Sequence, residues 1–158
     1  MEKFTFFWKD RSPFSNWYPS TFQVDNITYY RMEQFMMAEK ARLFGDQETL
    51  AKIMATTNPR EHKELGRQVK GFDKAKWDAV ARDVVYKGCL AKFSQNPALK
   101  KALLATEGTS MVEASPVDRI WGIGLAEDDP RALDRSTWLG LNWLGEVLDR
   151  VREELKKL

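Results

Sequence analysis

Three helix-start signals in the middle of the chain constrain its fold more than any other feature. Each is an Asp or Asn placed directly before a run with helical spacing, and in two of them a proline follows. A capping side chain accepts a backbone N–H of the first turn, and proline suits the first helical position. The signals at Asp46, Asn58 and Asn96 predict helices over 47–55, 59–69 and 97–104.

Apolar periodicity supplies the remaining elements. Helical spacing marks Met32–Phe44, Lys74–Phe93 and a final segment from Leu141 to Leu155. Short apolar runs near the start predict strands, two of them joined by an Asp-Asn turn that tolerates positive φ. These strands are Phe4–Trp8, Phe22–Val24 and Ile27–Tyr30. The pattern predicts a mostly α-helical α+β fold with a small N-terminal β-sheet.

Composition narrows the class of protein. A chain of 158 residues without a linker or repeat fits one domain, 1–158. The net charge of +2 comes from scattered basic residues, which excludes a broad phosphate-neutralising surface and leaves room for a local basic patch. With Cys89 and His62 alone of their types, we expect no disulfide framework, no His/Cys metal site and no cofactor.

The same counts favour a reducing compartment, and we expect a cytoplasmic protein. No apolar run approaches the roughly 18 residues of a membrane span, and the first residues lack the features of a signal peptide. We therefore expect no membrane association.

The predicted helix Met32–Phe44 carries charge inside an apolar stripe. Glu33 and Lys40 are seven residues apart and share one face with most of the apolar residues, while Gln34 and Arg42 fall opposite. Burial disfavours both charged forms unless each finds a partner. The pair is either a structural set of snorkelling or core-paired ions, or a desolvated amine beside a carboxylate, suited to acid–base or nucleophilic chemistry.

The stretch 111–125, MVEASPVDRIWGIGL, is interpreted as a loop that collects polar groups among apolar neighbours. It could be a turn in which Trp121 covers the core. It could also hold Glu113 and Asp118 against a ligand that stacks on Trp121 and meets the backbone at Gly122. The residue types alone leave both interpretations open.

Three other places carry weaker signals. Asn16 and Trp17 could hydrogen-bond and stack on a base, or form an ordinary turn with core aromatics. Arg67 could bind a phosphate or be a surface cation at a helix end. The small residues around Asn142 could present backbone amides to an anion or permit close helix packing.

Taken together and in order, six segments resemble the NADAR family, which includes the YbiA-type N-glycosidases. The resemblance runs from Phe14 to about Leu155. It is carried by FSNWYPSTF (14–22), YYRMEQFMMAEKARLF (29–44), LGR (65–67), LAKFSQNPALKKALLAT (90–106), MVEASPVDRIWGIG (111–124) and NWLGEVLDRVREEL (142–155).

The resemblance implies hydrolysis of N-glycosidic bonds of ribose derivatives. Members are similar in acting on phosphoribosylated pyrimidine intermediates of riboflavin synthesis, and others remove ADP-ribose from guanine bases of nucleic acid. Nucleic acid is thus expected as a partner only when it carries that modification. The pocket positions implied as catalytic are Glu33, Lys40, Glu113 and Asp118, and those implied as substrate-binding are Asn16, Trp17, Arg67, Trp121, Gly122 and Asn142.

Two other classes of function stay open. The domain could be a non-catalytic reader of ADP-ribose or nucleotides, which would bind without turnover. It could also be a structural helical domain with an aromatic interface. The buried charges favour an enzyme, because a reader has no need of them.

Overall fold

The computed structural model describes residues 1–158 and has six helices and four short strands. Two single 3-10 turns, Pro130–Leu133 and Arg135–Thr137, precede the last helix. The helices are α1 (Met32–Leu43), α2 (Gln47–Met54), α3 (Pro59–Arg67), α4 (Lys74–Gln95), α5 (Pro97–Leu104) and α6 (Trp143–Leu155). The strands are β1 (Phe4–Phe7), β2 (Phe22–Val24), β3 (Ile27–Tyr29) and β4 (Ser110–Glu113). The mostly helical α+β class is confirmed.

Helix caps explain most of the boundaries. The Asp46 side chain accepts a hydrogen bond from the Thr49 backbone N–H at 3.0 Å, and Asn58 accepts one from Arg60 at 2.9 Å. Asn96 precedes α5 as predicted but does not cap it. Its amide instead donates to the carbonyls of Thr21 and Lys92, which ties the end of α4 to the loop before β2.

The strands form two separate two-stranded ladders. β2 and β3 pair antiparallel around Asp25 and Asn26, both with positive φ as the hairpin prediction requires. β1 pairs in parallel with β4, with Phe4 opposite Ser110 and Phe7 opposite Glu113. The expectation that 111–125 is entirely a loop is therefore wrong at its start, because Glu113 ends a strand.

Helix α1 lies at the centre of the core and contacts α2, α3 and α4. It is buried on nearly all sides, so the predicted polar outer face is wrong for Gln34, which is fully buried. The Gln34 amide accepts from the Tyr30 N–H and donates to the carbonyls of Ile53 and Thr56. Leu43, which the spacing of the apolar residues places on the same face as Glu33 and Lys40, is 45% exposed, although Ala41 in the same last turn is fully buried. None of the helices combines the length and apolar character that a membrane span needs.

Candidate active site

A cavity of about 540 Å³ opens between α1, α3, the loop after β1 and the segment after β4. Eight of the ten predicted site residues line it, although they come from five different parts of the chain. These eight are Asn16, Trp17, Glu33, Lys40, Arg67, Glu113, Asp118 and Trp121. Gly122 and Asn142 do not line the cavity.

Glu33 lies in the first turn of α1 and is buried, with 6% of its surface exposed. Its backbone N–H donates to the carbonyl of Asn16 at 2.9 Å, which fixes the start of the helix against the loop. Burial raises the pKa of the Glu33 carboxyl to about 7. The positive charges of Lys63 and Lys40 oppose this rise, and the negative charge of Asp118 adds to it. Glu33 can therefore exchange a proton near neutral pH.

Glu113 ends β4 and directs its side chain into the same cavity. Its Oε2 atom is buried and has no hydrogen-bond partner within the protein. Burial, with the negative charges of Asp118 and Glu33, raises the pKa of Glu113 to about 8. At neutral pH this carboxyl is protonated and can donate a hydrogen bond to a bound molecule.

Asp118 is held by its own loop. Its Oδ1 accepts the backbone N–H groups of Ile120 and Trp121, both at 2.9 Å. Its own N–H donates to the Ser115 hydroxyl at 3.1 Å. Its negative charge is one cause of the raised pKa of Glu33 and Glu113. The cavity thus combines a charged carboxylate, Asp118, with two carboxyls whose pKa is raised to about 7 and about 8.

Lys40 is half-buried on the same side of α1 as Glu33, but the two side chains form no ion pair. Its ammonium lies 4.5 Å from the centre of the Phe72 ring. Burial lowers the pKa of Lys40; Glu33 opposes that change and Arg67 adds to it. The core-paired alternative, in which Glu33 and Lys40 neutralise each other, does not describe this arrangement, whereas a half-buried lysine packed on Phe72 fits the snorkelling alternative.

Helix α3 contributes a basic face of which only Arg67 was predicted from the sequence. Arg60 and Lys63 line the cavity together with the predicted Arg67. Steps of three and four residues place all three on one side of the helix, and this spacing could have identified the whole face. Each is exposed, and Arg67 makes only a surface ion pair with Glu64 at 3.4 Å. Their charges are free to attract an anion.

Tryptophans form the apolar part of the wall. Trp17 and Trp121 line the cavity with Trp8 and Trp77, which were not predicted there. Trp121 also packs edge-to-face on Trp143, with ring centres 5.5 Å apart. It therefore covers the core and presents a ring to the cavity, so both interpretations of this residue describe part of its environment.

Gly122 and Asn142 do not face the cavity but contact the backbone of the segments that carry Glu113 and Asp118. A Cβ at Gly122 would lie 2.9 Å from the carbonyl oxygen of Glu113 and 3.0 Å from that of Asp118, so glycine permits these two segments to approach. The Asn142 side-chain amide accepts a hydrogen bond from the Glu113 N–H at 3.1 Å and donates one to the Met111 carbonyl at 3.0 Å. These are the two bonds that the backbone of a neighbouring strand would otherwise supply to β4. Close packing on Met111 likewise explains Gly145. Nowhere do three or more His, Cys, Asp or Glu side chains adopt the arrangement of a metal site.

The fold is an α+β domain, and the site is a cavity in which buried carboxylates face a basic helix. The family follows from the similarity of this chain to known proteins. The NADAR domain model matches residues 6–156, so the chain belongs to the NADAR family. A solved relative, the E. coli protein YbiA, superposes with a TM-score of 0.80 at 27% identity, over 99% of this chain and 88% of that one.

Sequence relatives extend the comparison. N-glycosidase R617 of Acanthamoeba polyphaga mimivirus is 44% identical over 89% of this chain and 86% of its own length. Protein irg-1 of Caenorhabditis elegans is 42% identical over 96% and 79%. The chloroplastic riboflavin biosynthesis protein PYRR of Zea mays is 31% identical over 94% of this chain, which spans 24% of that longer protein.

Proposed function

We propose that the protein is an N-glycosidase that hydrolyses the bond between a base and a phosphorylated ribose, as in phosphoribosylaminopyrimidine intermediates of riboflavin synthesis. The observation that carries the proposal is the set of three carboxyl groups opposite the basic face of α3, with Asp118 beside Glu33 and Glu113, whose pKa is raised to about 7 and about 8. The names of R617 and PYRR support the reaction and the pathway.

The carboxylates divide the work of breaking the glycosidic bond. Asp118 stabilises the positive charge that develops at the anomeric carbon. As the C–N bond breaks, its electron pair goes to the base nitrogen, which takes a proton from Glu33. Water then attacks the anomeric carbon and gives a proton back to Glu33, which releases the free base and the sugar phosphate. Glu113 donates a hydrogen bond that holds the substrate.

Arg60, Lys63 and Arg67 bind the phosphate of this substrate. Guanidinium and ammonium groups match phosphate in charge and donor geometry. Trp17 and Trp121 stack on the base, a contact that contributes about 1–3 kcal/mol by analogy with nucleic-acid platforms. Asn16, whose Oδ1 is buried without a partner, accepts a hydrogen bond from the substrate.

Lys40 has two candidate roles in this reaction. It can hold a sugar hydroxyl or phosphate, or its neutral amine can attack the anomeric carbon as the C–N bond to the base breaks. The ring C–O bond then opens to give an imine, which water hydrolyses to the free lysine and the sugar phosphate. Its lowered pKa makes the neutral, nucleophilic amine easier to reach. Borohydride added during turnover would trap an imine as a stable adduct that is lost in Lys40→Ala, whereas active turnover without any adduct assigns Lys40 to binding.

A second substrate class is favoured by the number of cations. Lys9 and Lys40 also line the cavity, so five basic residues surround it, more than one phosphate needs. ADP-ribose attached to guanine in nucleic acid would use the additional charges. Only this modified nucleic acid is a proposed partner.

The deciding experiment offers the purified protein each substrate class separately. One sample receives 5-amino-6-(ribosylamino)uracil 5′-phosphate and the other receives DNA with ADP-ribosylated guanine. Mass spectrometry follows the sugar phosphate and free base in the first sample, and the released ADP-ribose and restored guanine in the second. If wild type releases these products and Glu33→Gln does not, the reaction is established, and the sample in which release occurs identifies the substrate. Binding of both ligands without release by wild type would overturn the enzyme in favour of a reader.

We place this activity in the cytoplasm. The support is the single cysteine, Cys89, which is buried and free, as is usual in a reducing compartment. Fractionation of cells that express a tagged chain tests the location.

A further inference from the structure

Three successive carbonyls in the loop before β2 are each held by a donor from elsewhere in the fold. Lys92 Nζ donates to the Ser15 carbonyl at 3.1 Å, the Glu33 N–H to the Asn16 carbonyl at 2.9 Å, and the Arg31 guanidinium to the Trp17 carbonyl. Loops seldom have every carbonyl held in this way, because most of them face solvent. This segment, Ser15–Trp17, therefore has one defined conformation at the cavity wall.

Lys92 is the unexpected member of this set. Its side chain is completely buried on α4, and no carboxylate lies within ion-pair distance of it. The one titratable group that influences the pKa of Lys92 is the buried thiol of Cys89. The rings of Phe93 and Tyr18 lie 4.9 and 5.9 Å from the Lys92 ammonium. A buried amine without a counter-ion costs stability, so its presence calls for a role.

The contact with Ser15 places that role at the cavity. Ser15 lines the cavity, and so do the next two residues, Asn16 and Trp17. The Ser15 carbonyl also accepts the Tyr18 N–H at 3.2 Å, so the turn could close without the lysine. What Lys92 adds is a fixed link between this turn and the long helix α4.

We propose that Lys92 is a positioning residue, which holds the segment Ser15–Trp17 so that the Asn16 amide and the Trp17 ring meet the substrate. The inference deepens the proposed function and relies on it for the substrate. Lys92 itself does not line the cavity, so it acts through Ser15.

The test uses Lys92→Met, which keeps the length and apolar stem of the side chain and removes the donor. Lys76→Met is the matched control, because Lys76 is an exposed lysine near the start of the same helix. Hydrogen–deuterium exchange of the amides over 15–18 is measured first, since it needs no substrate. We expect these amides to exchange about tenfold faster in Lys92→Met, the size of a lost hydrogen bond to a charged group. Exchange in α5 and α6 should stay unchanged.

Kinetics supply the second readout. KM should rise about tenfold in Lys92→Met with kcat changed by less than about twofold, because the chemistry depends on other residues. In a Trp17→Ala, Asn16→Ala background the same substitution should have almost no effect on KM, since the groups it positions are gone. A purely structural lysine would give equal effects in both backgrounds.

Each outcome decides something different. Faster exchange throughout the chain, or unchanged exchange over 15–18, would overturn the positioning role. A wild-type protein without any turnover would overturn the proposed function, and the exchange result would still decide whether Lys92 orders the segment. If Lys92→Met does not fold, Lys92→Leu provides the same comparison, because leucine is also apolar and has no donor, with a shorter side chain.

Discussion

The carboxylate side and the basic side of the cavity are built in opposite ways. Glu33 is buried, the Glu113 Oε2 is buried without a partner, and Asp118 is fixed by two backbone N–H groups. Arg60, Lys63 and Arg67 are exposed on one helix, with the Arg67 side chain 64% exposed. Rigid, desolvated groups suit bond breaking, whereas exposed cations suit capture of an anion.

This contrast separates two kinds of effect. Substitutions on the carboxylate side should lower kcat, because they change groups that interact most strongly in the transition state. Substitutions on the basic side should raise KM, and salt should imitate them.

The largest effect is expected for Glu33→Gln. Loss of the proton donor should lower kcat by about 10²–10⁴-fold. In wild type, kcat/KM should fall as the pH rises above about 7, where Glu33 loses its proton. Glu39→Gln, on the same helix but outside the cavity, is the control. A Glu33→Gln variant with normal kcat would transfer the donor role to Glu113, whose raised pKa also suits it.

Asp118→Asn should lower kcat by about 10²–10³-fold, the usual cost of removing one electrostatic stabiliser. Asparagine keeps an Oδ1 that can accept the N–H groups of Ile120 and Trp121, so the loop should stay in place. Asp129→Asn is the matched control, because Asp129 caps a turn in the same manner outside the cavity. Full activity in Asp118→Asn would mean that the negative charge plays no part in the reaction.

The helices and the hairpin were predictable because their signals are local. Caps at Asp46 and Asn58 and the apolar periodicity lie within the elements that they define. β4 was missed because its partner, β1, lies about a hundred residues earlier, and a four-residue strand has little pattern of its own. Long-range pairing of this kind leaves no mark in the local sequence.

In the candidate site, too, local signals were predictable from the sequence and long-range contacts were not. The charges of Glu33 and Lys40 were visible because they interrupt an apolar stripe within one helix. That Glu113 and Asp118 converge on Glu33 follows only from the tertiary fold and, at the sequence level, from the family resemblance. Lys92 gave no signal, because one lysine in a long helix is normally at the surface.

On the basic side, Arg60→Ala with Lys63→Ala should raise KM by about tenfold and leave kcat nearly unchanged, because each residue contributes a solvent-exposed charge. Added salt should raise KM in wild type and have less effect in the double variant. Lys63 also lowers the pKa of Glu33 and Glu113, so its removal should move the alkaline fall of kcat/KM to higher pH. Lys70→Ala, beyond the end of α3, is the control. A large loss of kcat would mean that the basic side takes part in the chemistry.

The smallest effect concerns stability and tests the carboxylate side without any substrate. The folded-state pKa of Glu113 is about 8, above the ordinary value of 4.5, so the folded protein holds a proton there that the unfolded chain releases. Its contribution to stability is complete below about pH 4.5 and is lost as the pH rises to about 8. Glu113→Gln cannot ionise and lacks this loss, so its melting temperature relative to wild type should be higher by a few degrees at pH 9 than at pH 5.

Other titratable groups also make the melting temperature depend on pH. Lys92, with its pKa lowered to about 8, adds stability as the pH rises from about 8 towards its ordinary value of 10.5. Asp46, with a pKa of about 2, loses its contribution only as the pH falls from its ordinary value of 3.8 through about 2. Glu33, with a pKa of about 7, loses its contribution as the pH rises from its ordinary value of 4.5 to about 7. All three groups are present in wild type and variant, so the difference between the two melting curves reports Glu113 together with its interaction with Glu33. Parallel curves from pH 5 to pH 9 would show that Glu113 is ionised at neutral pH, and the cavity would then hold a second full negative charge in place of a hydrogen-bond donor.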